Sequence, residues 1–180
     1  MASMTFSIRP ATAADARAIA GVHVDAWRNA YPTLLPDDYL AERLSEDRQQ
    51  TAWRHRLHGA RPNETVLVAT SGNGTIIGYI VFGRCRRRGM TAMGEIYELY
   101  VAPDHQDQGA GRHLLTAAKA RMRKAGTGSL AIEVLAGNPA RFFYERLGAA
   151  IGGTATQSFA GQRLDTVIYL WRDLGLSVDE

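Results

Sequence analysis

The chain is expected to fold as an α/β (α+β) protein with a mixed, mostly antiparallel central sheet of about seven strands and helices on both faces. Three patterns predict this. Two β-branched, apolar segments, residues 64–69 and 76–82, flank Ser71-Gly72-Asn73-Gly74, a strong hairpin signal. An alternating strand, an amphipathic helix and a second alternating strand then follow within residues 94–135. Residues 151–159 and 164–171 finally read as two more strands about Ala160-Gly161.

Taken in order, residues 5–9 alternate polar and apolar and stop at Pro10, which predicts a short first strand. Thr12 and Asp15 have the spacing of a capping box ahead of a helix. Its apolar positions Ile19, Val22, His23, Ala26, Trp27 and Ala30 recur every three to four residues until Pro32. A second helix is expected over residues 37–57, carrying Tyr39, Leu40, Leu44, Trp53 and Leu57, with His58-Gly59 and Pro62 closing it. The first hairpin comes next, then an arginine-rich loop with Cys85 on the strand before it, then a strand over residues 94–101 ended by Pro103. Leu114, Leu115, Ala118 and Met122 mark a helix over residues 111–125, broken by Gly126 and Gly128. Leu130, Ile132 and Val134 alternate as a strand, and a crossover helix between two strands of one sheet makes them parallel. Asn138 is expected to cap a further helix over residues 139–147. The predicted order is βααβββαβαββ in one domain spanning residues 1–180.

Bulk properties narrow the function classes. A 180-residue chain with 46% hydrophobic and 22% charged residues buries one core without staples, and no apolar run approaches a membrane span. Residues 1–7 have neither a basic start nor a signal-like apolar stretch, so cytoplasm is the default location. The lone Cys85 excludes an internal disulfide framework and a thiolate-rich zinc site. Net charge is only +3, and although Arg84, Arg86, Arg87 and Arg88 cluster, no aromatic interleaving accompanies them. They read as a solvated loop, not a nucleic-acid surface. The remaining histidines, His55, His58, His105 and His113, lack metal-ligand spacing and read as surface or capping residues, so no metal is expected.

Gly109 and Gly111 open a helix after a strand, which lets backbone N–H groups approach an anion at the positive end of the helix. No Lys-Ser/Thr follows as in a P-loop, and the spacing is not Gly-x-Gly-x-x-Gly. The stretch Val101-Ala102-Pro103-Asp104-His105-Gln106-Asp107-Gln108-Gly109-Ala110-Gly111-Arg112-His113-Leu114-Leu115 resembles the signature of the GNAT superfamily of N-acetyltransferases. Asn138-Pro139-Ala140-Arg141-Phe142-Phe143-Tyr144-Glu145-Arg146-Leu147-Gly148 resembles the second signature of that family.

That resemblance implies a sheet splayed between the strands at residues 94–101 and 130–135, with acetyl-CoA as co-substrate. Leu99, Tyr100 and Val101 would offer backbone groups to pantetheine. Gln106, Gln108, Gly109, Ala110, Gly111 and Arg112 would meet the pyrophosphate, and Asn138 and Arg141 would flank the CoA arm. Asp107 and Gln108 stand where the family often has basic residues, so backbone amides are the expected source of phosphate binding. Ala149 replaces an aromatic residue, a packing change.

Acetyl transfer to an amine needs a base for the ammonium, an oxyanion contact and a proton for the thiolate. Glu95 and Glu98 are the base candidates, and three positions apart on a strand they face opposite sides. The family comparison leans to Glu95, while Glu98 is nearer the expected bulge; either could instead simply pair with an arginine, and an ordered water chain could replace both. A backbone N–H in residues 99–101 would meet the oxyanion. Tyr144 resembles the family's general acid. His23, Trp27 and Tyr31 share one helical face, either as an acceptor-pocket wall with a proton-relaying histidine or as core packing, with Tyr31 the less packed.

The leading expectation is transfer to a primary amine of a small molecule. Alternatives are acetylation of a protein N-terminus or lysine, and a CoA-binding sensor without turnover. The resemblance also admits a homodimer.

Overall fold

The computed structural model describes residues 6–31, 36–59, 61–159 and 161–175, and leaves out the Leu40 side chain. The expectations at Thr5, Pro32, Leu40 and Ala160 therefore lie outside the described residues. The elements are β1 (Ser7–Pro10), α1 (Ala16–Ala30), α2 (Asp37–Arg43), α3 (Glu46–His58), β2 (Glu64–Thr70), β3 (Ile76–Arg84), β4 (Gly94–Val101), α4 (Ala110–Lys124), β5 (Leu130–Leu135), α5 (Arg141–Arg146), β6 (Ala150–Phe159) and β7 (Gln162–Trp171). Short 3-10 turns at Ala13–Asp15 and Pro103–His105 precede α1 and follow β4.

The strands form one seven-stranded sheet in the order β1-β2-β3-β4-β5-β7-β6. β1 pairs antiparallel with β2, and β5 and β6 each pair antiparallel with β7. β4 and β5 are parallel, with Gly94–Ile96 opposite Leu130–Ile132, as the crossover through α4 requires. The mixed, mostly antiparallel sheet expected from the sequence is therefore present.

The chain clusters into two compact units, Met1–Val81 with Glu98–Ala117, and Phe82–Tyr97 with Ala118–Glu180. In the first, α1 buries Ile19, Ala20, Val22 and Val24, alongside Leu67 of β2, Ile80 of β3 and Leu114 of α4 in that unit's core. Asp15 opens the helix by accepting from the Thr12 N–H at 2.7 Å and its hydroxyl at 3.1 Å, while Arg9 grips the same carboxylate at 2.7 and 2.9 Å. In the second unit, Met122, Leu130, Ala131, Tyr169 and Leu170 are buried. β6 carries a bulge between Ile151 and Gly153, where a Cβ on Gly152 would lie 2.3 Å from Leu170 Cδ1.

Three boundaries differ from expectation. The helix expected over residues 37–57 is two helices, because Ser45 takes an extended conformation, accepts the Arg48 N–H at 3.3 Å and starts α3 afresh, while Leu44 turns into the core. Asn138 does not cap a helix at Pro139. Its Oδ1 accepts the Ala140 N–H at 2.9 Å, closing a local turn, and α5 begins only at Arg141. Cys85 lies just past the end of β3, not on it, packed against Ala92, Ala131 and Leu170. Among the described residues no helix is long and apolar enough to cross a membrane.

Candidate active site

The glycine loop lies in the first unit. Backbone φ is positive at Gly109, +96°, and also at Asp107, +58°, so the chain turns left-handed twice in three residues. Gln106 Nε2 donates to the Val101 carbonyl at 3.1 Å and Gln108 Nε2 to the Asp104 carbonyl at 3.0 Å, so both side chains brace the loop. The His113 N–H reaches the Gly109 carbonyl at 3.1 Å, one turn into α4. The N–H groups of Ala110, Gly111 and Arg112 precede that bond and have no intrahelical acceptor at their position in the helix. This is a backbone donor set at a helix N-terminus, suited to the diphosphate of a CoA-type ligand. Glycine at 78 lets β3 lie close to β4, since a Cβ there would sit 3.0 Å from the Tyr100 carbonyl oxygen.

The same unit gathers an aromatic and charged cluster. His23 stacks on Trp27 with ring centroids 5.4 Å apart, Trp27 meets Tyr31 at 5.0 Å, and Tyr100 lies 5.7 Å from His23 and 6.3 Å from Trp27. Tyr31, expected to be the less packed, is buried, whereas Trp27 is half-buried. The Trp27 Nε1 is nevertheless buried with no hydrogen-bond partner. His23 Nδ1 lies 2.7 Å from Tyr79 Oη, and Tyr79 donates to Glu98 Oε2 at 2.9 Å. Arg56 donates to Glu98 Oε1 at 2.5 Å and to Glu64 at 2.5 and 3.1 Å, while its guanidinium covers Trp53 at 4.7 Å.

Burial governs the protonation of this cluster. It lowers the His23 pKa, with Arg56 adding to the shift and Glu98 opposing it. It also pushes the Tyr79 phenol well above its usual value, and the Glu98 charge adds to that. Burial opposes the Arg56 charge too, yet the bonds and charges of Glu64 and Glu98 prevail and hold the guanidinium more strongly protonated.

Glu95 lies in the second unit and is buried. It accepts the Arg86 N–H at 3.0 Å, with the Arg86 and Arg87 guanidinium Nε atoms each 3.5 Å away. Arg87 also donates to Glu133, which takes the Thr166 hydroxyl and Gln157 Nε2 as well. Arg84, Arg86 and Arg88 are exposed, as a solvated loop requires, and Arg87 is the member of the run that departs from it. Arg87 pairs with the buried Glu95 and the half-buried Glu133, and Arg86 lies over the Tyr97 ring at 3.5 Å. Glu95 and Glu98 each have arginine partners, in separate units.

Tyr144, on α5, is buried among Phe143, Tyr169 and Trp171, with ring centroids 5.2, 6.3 and 6.2 Å away. Tyr169 donates to Glu145 at 2.6 Å; burial first, then Glu145, pushes its phenol up to about 12. Asn138 is buried and Arg141 is half-buried with its guanidinium 4.6 Å from the Phe142 ring centroid. His55, His58 and His113 are exposed, whereas His105 is half-buried. Among the described residues no group of three or more histidines, cysteines and carboxylates is placed to hold a metal.

Sequence reasoning missed Tyr79, Arg56 and Glu64. Tyr79 is 56 residues from His23 and 19 from Glu98, and Arg56 is 42 from Glu98, separations that no local spacing rule spans. The one available signal was a polar-tipped tyrosine inside the apolar run of β3.

The chain matches the Acetyltransferase (GNAT) family over residues 24–149. It is 33% identical to the N-acetyltransferase YuaI of Bacillus subtilis over 169 residues, covering 93% of this chain and 94% of that protein. It is 32% identical over 175 residues to the L-methionine sulfoximine/L-methionine sulfone acetyltransferase of Pseudomonas paraeruginosa, covering 95% of this chain and 92% of that one. Among solved structures, yncA from Salmonella typhimurium, determined with its cofactor acetyl-CoA, is similar at a TM-score of 0.66 and 25% identity, with 94% of each chain covered.

Proposed function

Because the chain belongs to the GNAT acetyltransferase family, we propose that it moves the acetyl group of acetyl-CoA directly onto the primary amine of a small molecule in a ternary complex. The observation that carries the acceptor class is the wall of His23, Trp27, Tyr31 and Tyr100, with the Glu98 carboxylate 3.8 Å from its His23 member. Arg56 pairs with both Glu64 and Glu98, and Arg61 faces Glu64 at 3.9 Å, so the carboxylates are charge-balanced and the aromatic faces are what favour a cation there. Such a wall attracts and encloses a small ammonium compound. The buried Trp27 indole N–H offers one further donor, suited to an oxygen on the acceptor. A relative named for L-methionine sulfoximine and L-methionine sulfone, small amines rich in oxygen acceptors, supports the same class.

Acetyl-CoA supplies an activated thioester. On this reading the N–H groups of Ala110, Gly111 and Arg112 hold its pyrophosphate. The backbone of residues 99–101 aligns pantetheine and offers an N–H to the oxygen that gains charge. Asn138 and Arg141 flank the CoA arm. Tyr144 gives its phenolic proton to the departing thiolate. Of the two glutamates, Glu98 is the one beside the aromatic wall, and the Glu95 interactions with Arg86 and Arg87 support a structural role for that residue. The reading also includes work in the cytoplasm as a homodimer, which cell fractionation and light scattering test.

Thiol release from acetyl-CoA over a panel of amines, including methionine sulfone, a polyamine and an N-terminal peptide, tests this. Turnover of a small amine is expected, with Tyr144→Phe lowering kcat about 100-fold. CoA binding without turnover on any amine would sink the enzyme reading, and preference for the peptide would sink the small-molecule one.

A further inference from the structure

We infer that His23 Nε2 is the base that takes the proton from the acceptor ammonium, and that Tyr79 and Glu98 are positioning residues that fix the required tautomer. This deepens the amine-acetylation reading and rests on it.

The polarity of the chain of bonds follows from what each group can do. A carboxylate only accepts, so the contact between Tyr79 Oη and Glu98 Oε2 at 2.9 Å uses the single phenolic proton. Tyr79 Oη then has only lone pairs left for His23. The 2.7 Å contact with His23 Nδ1 consequently requires a proton on Nδ1. Neutral His23 is the Nδ1–H tautomer, with the basic lone pair on Nε2. Nδ1 is turned toward the fully buried Tyr79, which leaves Nε2, on the other edge of a side chain that is 13% exposed, as the ring nitrogen available to an acceptor. The ring plane is held by Trp27 stacked on it and by Tyr100 edge-on.

The rival bases around this ring are occupied. Glu98 accepts Arg56 on Oε1 and Tyr79 on Oε2. Tyr79 holds its own proton, its phenol pushed well up by burial and by Glu98. The groups packed about His23 are thus Glu98 and Tyr100 from β4, Tyr79 from β3, Arg56 from α3 and Trp27 from α1. Burial and Arg56 together lower the His23 pKa against Glu98, which favours the neutral ring that can accept a proton.

In the step itself an N–H bond of the ammonium breaks and an Nε2–H bond forms, leaving a neutral amine and an imidazolium. The imidazolium returns its proton to solvent. Glu98, opposite Tyr79, favours the transient positive ring and itself takes up no proton.

Two measurements test this. The ¹⁵N NMR spectrum of the labelled protein, with His23 assigned by its loss in His23→Asn, is expected to show the Nδ1–H tautomer, and Tyr79→Phe to shift it toward a mixture. The second compares rates on the best alkyl amine of the panel and on trifluoroethylamine, which is already neutral at about pH 7. His23→Asn is expected to lower kcat/KM about 100-fold or more on the alkyl amine and to remove the acidic limb of its pH profile. On trifluoroethylamine the loss is expected to be at least about tenfold smaller than on the alkyl amine, and CoA binding by calorimetry at the wild-type affinity shows that the variant is folded. A wild-type Nε2–H tautomer, or an acidic limb that survives in His23→Asn, overturns the inference while leaving amine acetylation standing. Failure of the wild-type protein on every amine overturns both.

Discussion

Replacing Glu98 with Gln tests the site most sharply, because volume is kept while the charge and the bonding polarity change. Arg56 can only donate, so the single amide oxygen of the new side chain must face it, in place of the carboxylate contact at 2.5 Å. The amide NH2 then faces Tyr79 Oη, where the carboxylate accepted at 2.9 Å. Tyr79 becomes an acceptor on that side and turns its proton to His23 Nδ1, which drives the imidazole into the Nε2–H tautomer. Two hydrogen bonds to a charged acceptor are replaced by one from Arg56 to a neutral oxygen and one in which the amide donates to Tyr79, costing roughly 1 kcal/mol each and about 2 kcal/mol together. Arg56 keeps Glu64 at 2.5 and 3.1 Å, so its charge stays compensated. For a chain of this length that is a fall in Tm of about 4 to 8 °C. The loss in kcat/KM on an alkyl amine should be far larger, about 100-fold or more, since the basic lone pair no longer faces the acceptor. Thermal melts and thiol-release kinetics read the two effects separately. Full activity with the expected loss in Tm would refute the bonding polarity. A fall in Tm beyond about 15 °C would refute the claim that Glu64 alone suffices for Arg56.

Other perturbations probe the scaffold and the loop. The Asp15 carboxyl is held down at about 2, chiefly by the Arg9 hydrogen bond against the opposing effect of burial, with Thr12 adding to it. Its contribution is therefore full above about pH 4 and lost as pH falls through about 2; Asp15→Asn should cost about 1 to 2 kcal/mol at neutral pH, allowing for water at Arg9, and flatten acid unfolding. A Cβ at Gly152 would sit 2.3 and 2.4 Å from Leu170 Cδ1 and Cγ, so Gly152→Ala should lose about 1 to 3 kcal/mol in chemical denaturation with kcat unchanged; an equally stable variant would contradict the packing. Asp107, at φ +58°, combines a left-handed backbone with a negative charge near the proposed pyrophosphate site. Asp107→Gly should gain about 1 kcal/mol and bind CoA several-fold more tightly by calorimetry, and weaker binding would count against that placement of the diphosphate.

How far the sequence could be read depended on the range of the interaction. The hairpin at Ser71 to Gly74 was legible because its bonds lie within five residues: the side-chain Oδ1 of Asn73 accepts from the Ser71 hydroxyl at 2.6 Å and from the Thr75 N–H at 3.1 Å. The bounds of β4 and β5 were legible from alternation and flanking glycine and proline. The break at Ser45 was hidden by charged residues on either side that suit a helix equally well. Asn138 misled because the same side chain that caps a helix also closes a turn, and Pro139-Ala140 extends that turn. Within the arginine run Arg87 alone was misread, because its carboxylate partners, Glu95 and Glu133, come from β4 and from the distant β5.

The sequence by itself determined the family, the sheet and helix order apart from the Ser45 break, and the glycine loop, because signatures, periodicity and turn chemistry act over a few residues. It also placed His23, Trp27 and Tyr31 on one helical face. Only the tertiary structure decided which carboxylate stands beside that face and what its charge is linked to. Glu98 meets Tyr79, Arg56 and, through Tyr79, His23 across separations of 19 to 56 residues. Buried donors and acceptors must pair somewhere, but the partners are fixed by how the strands and helices pack, which no local pattern encodes.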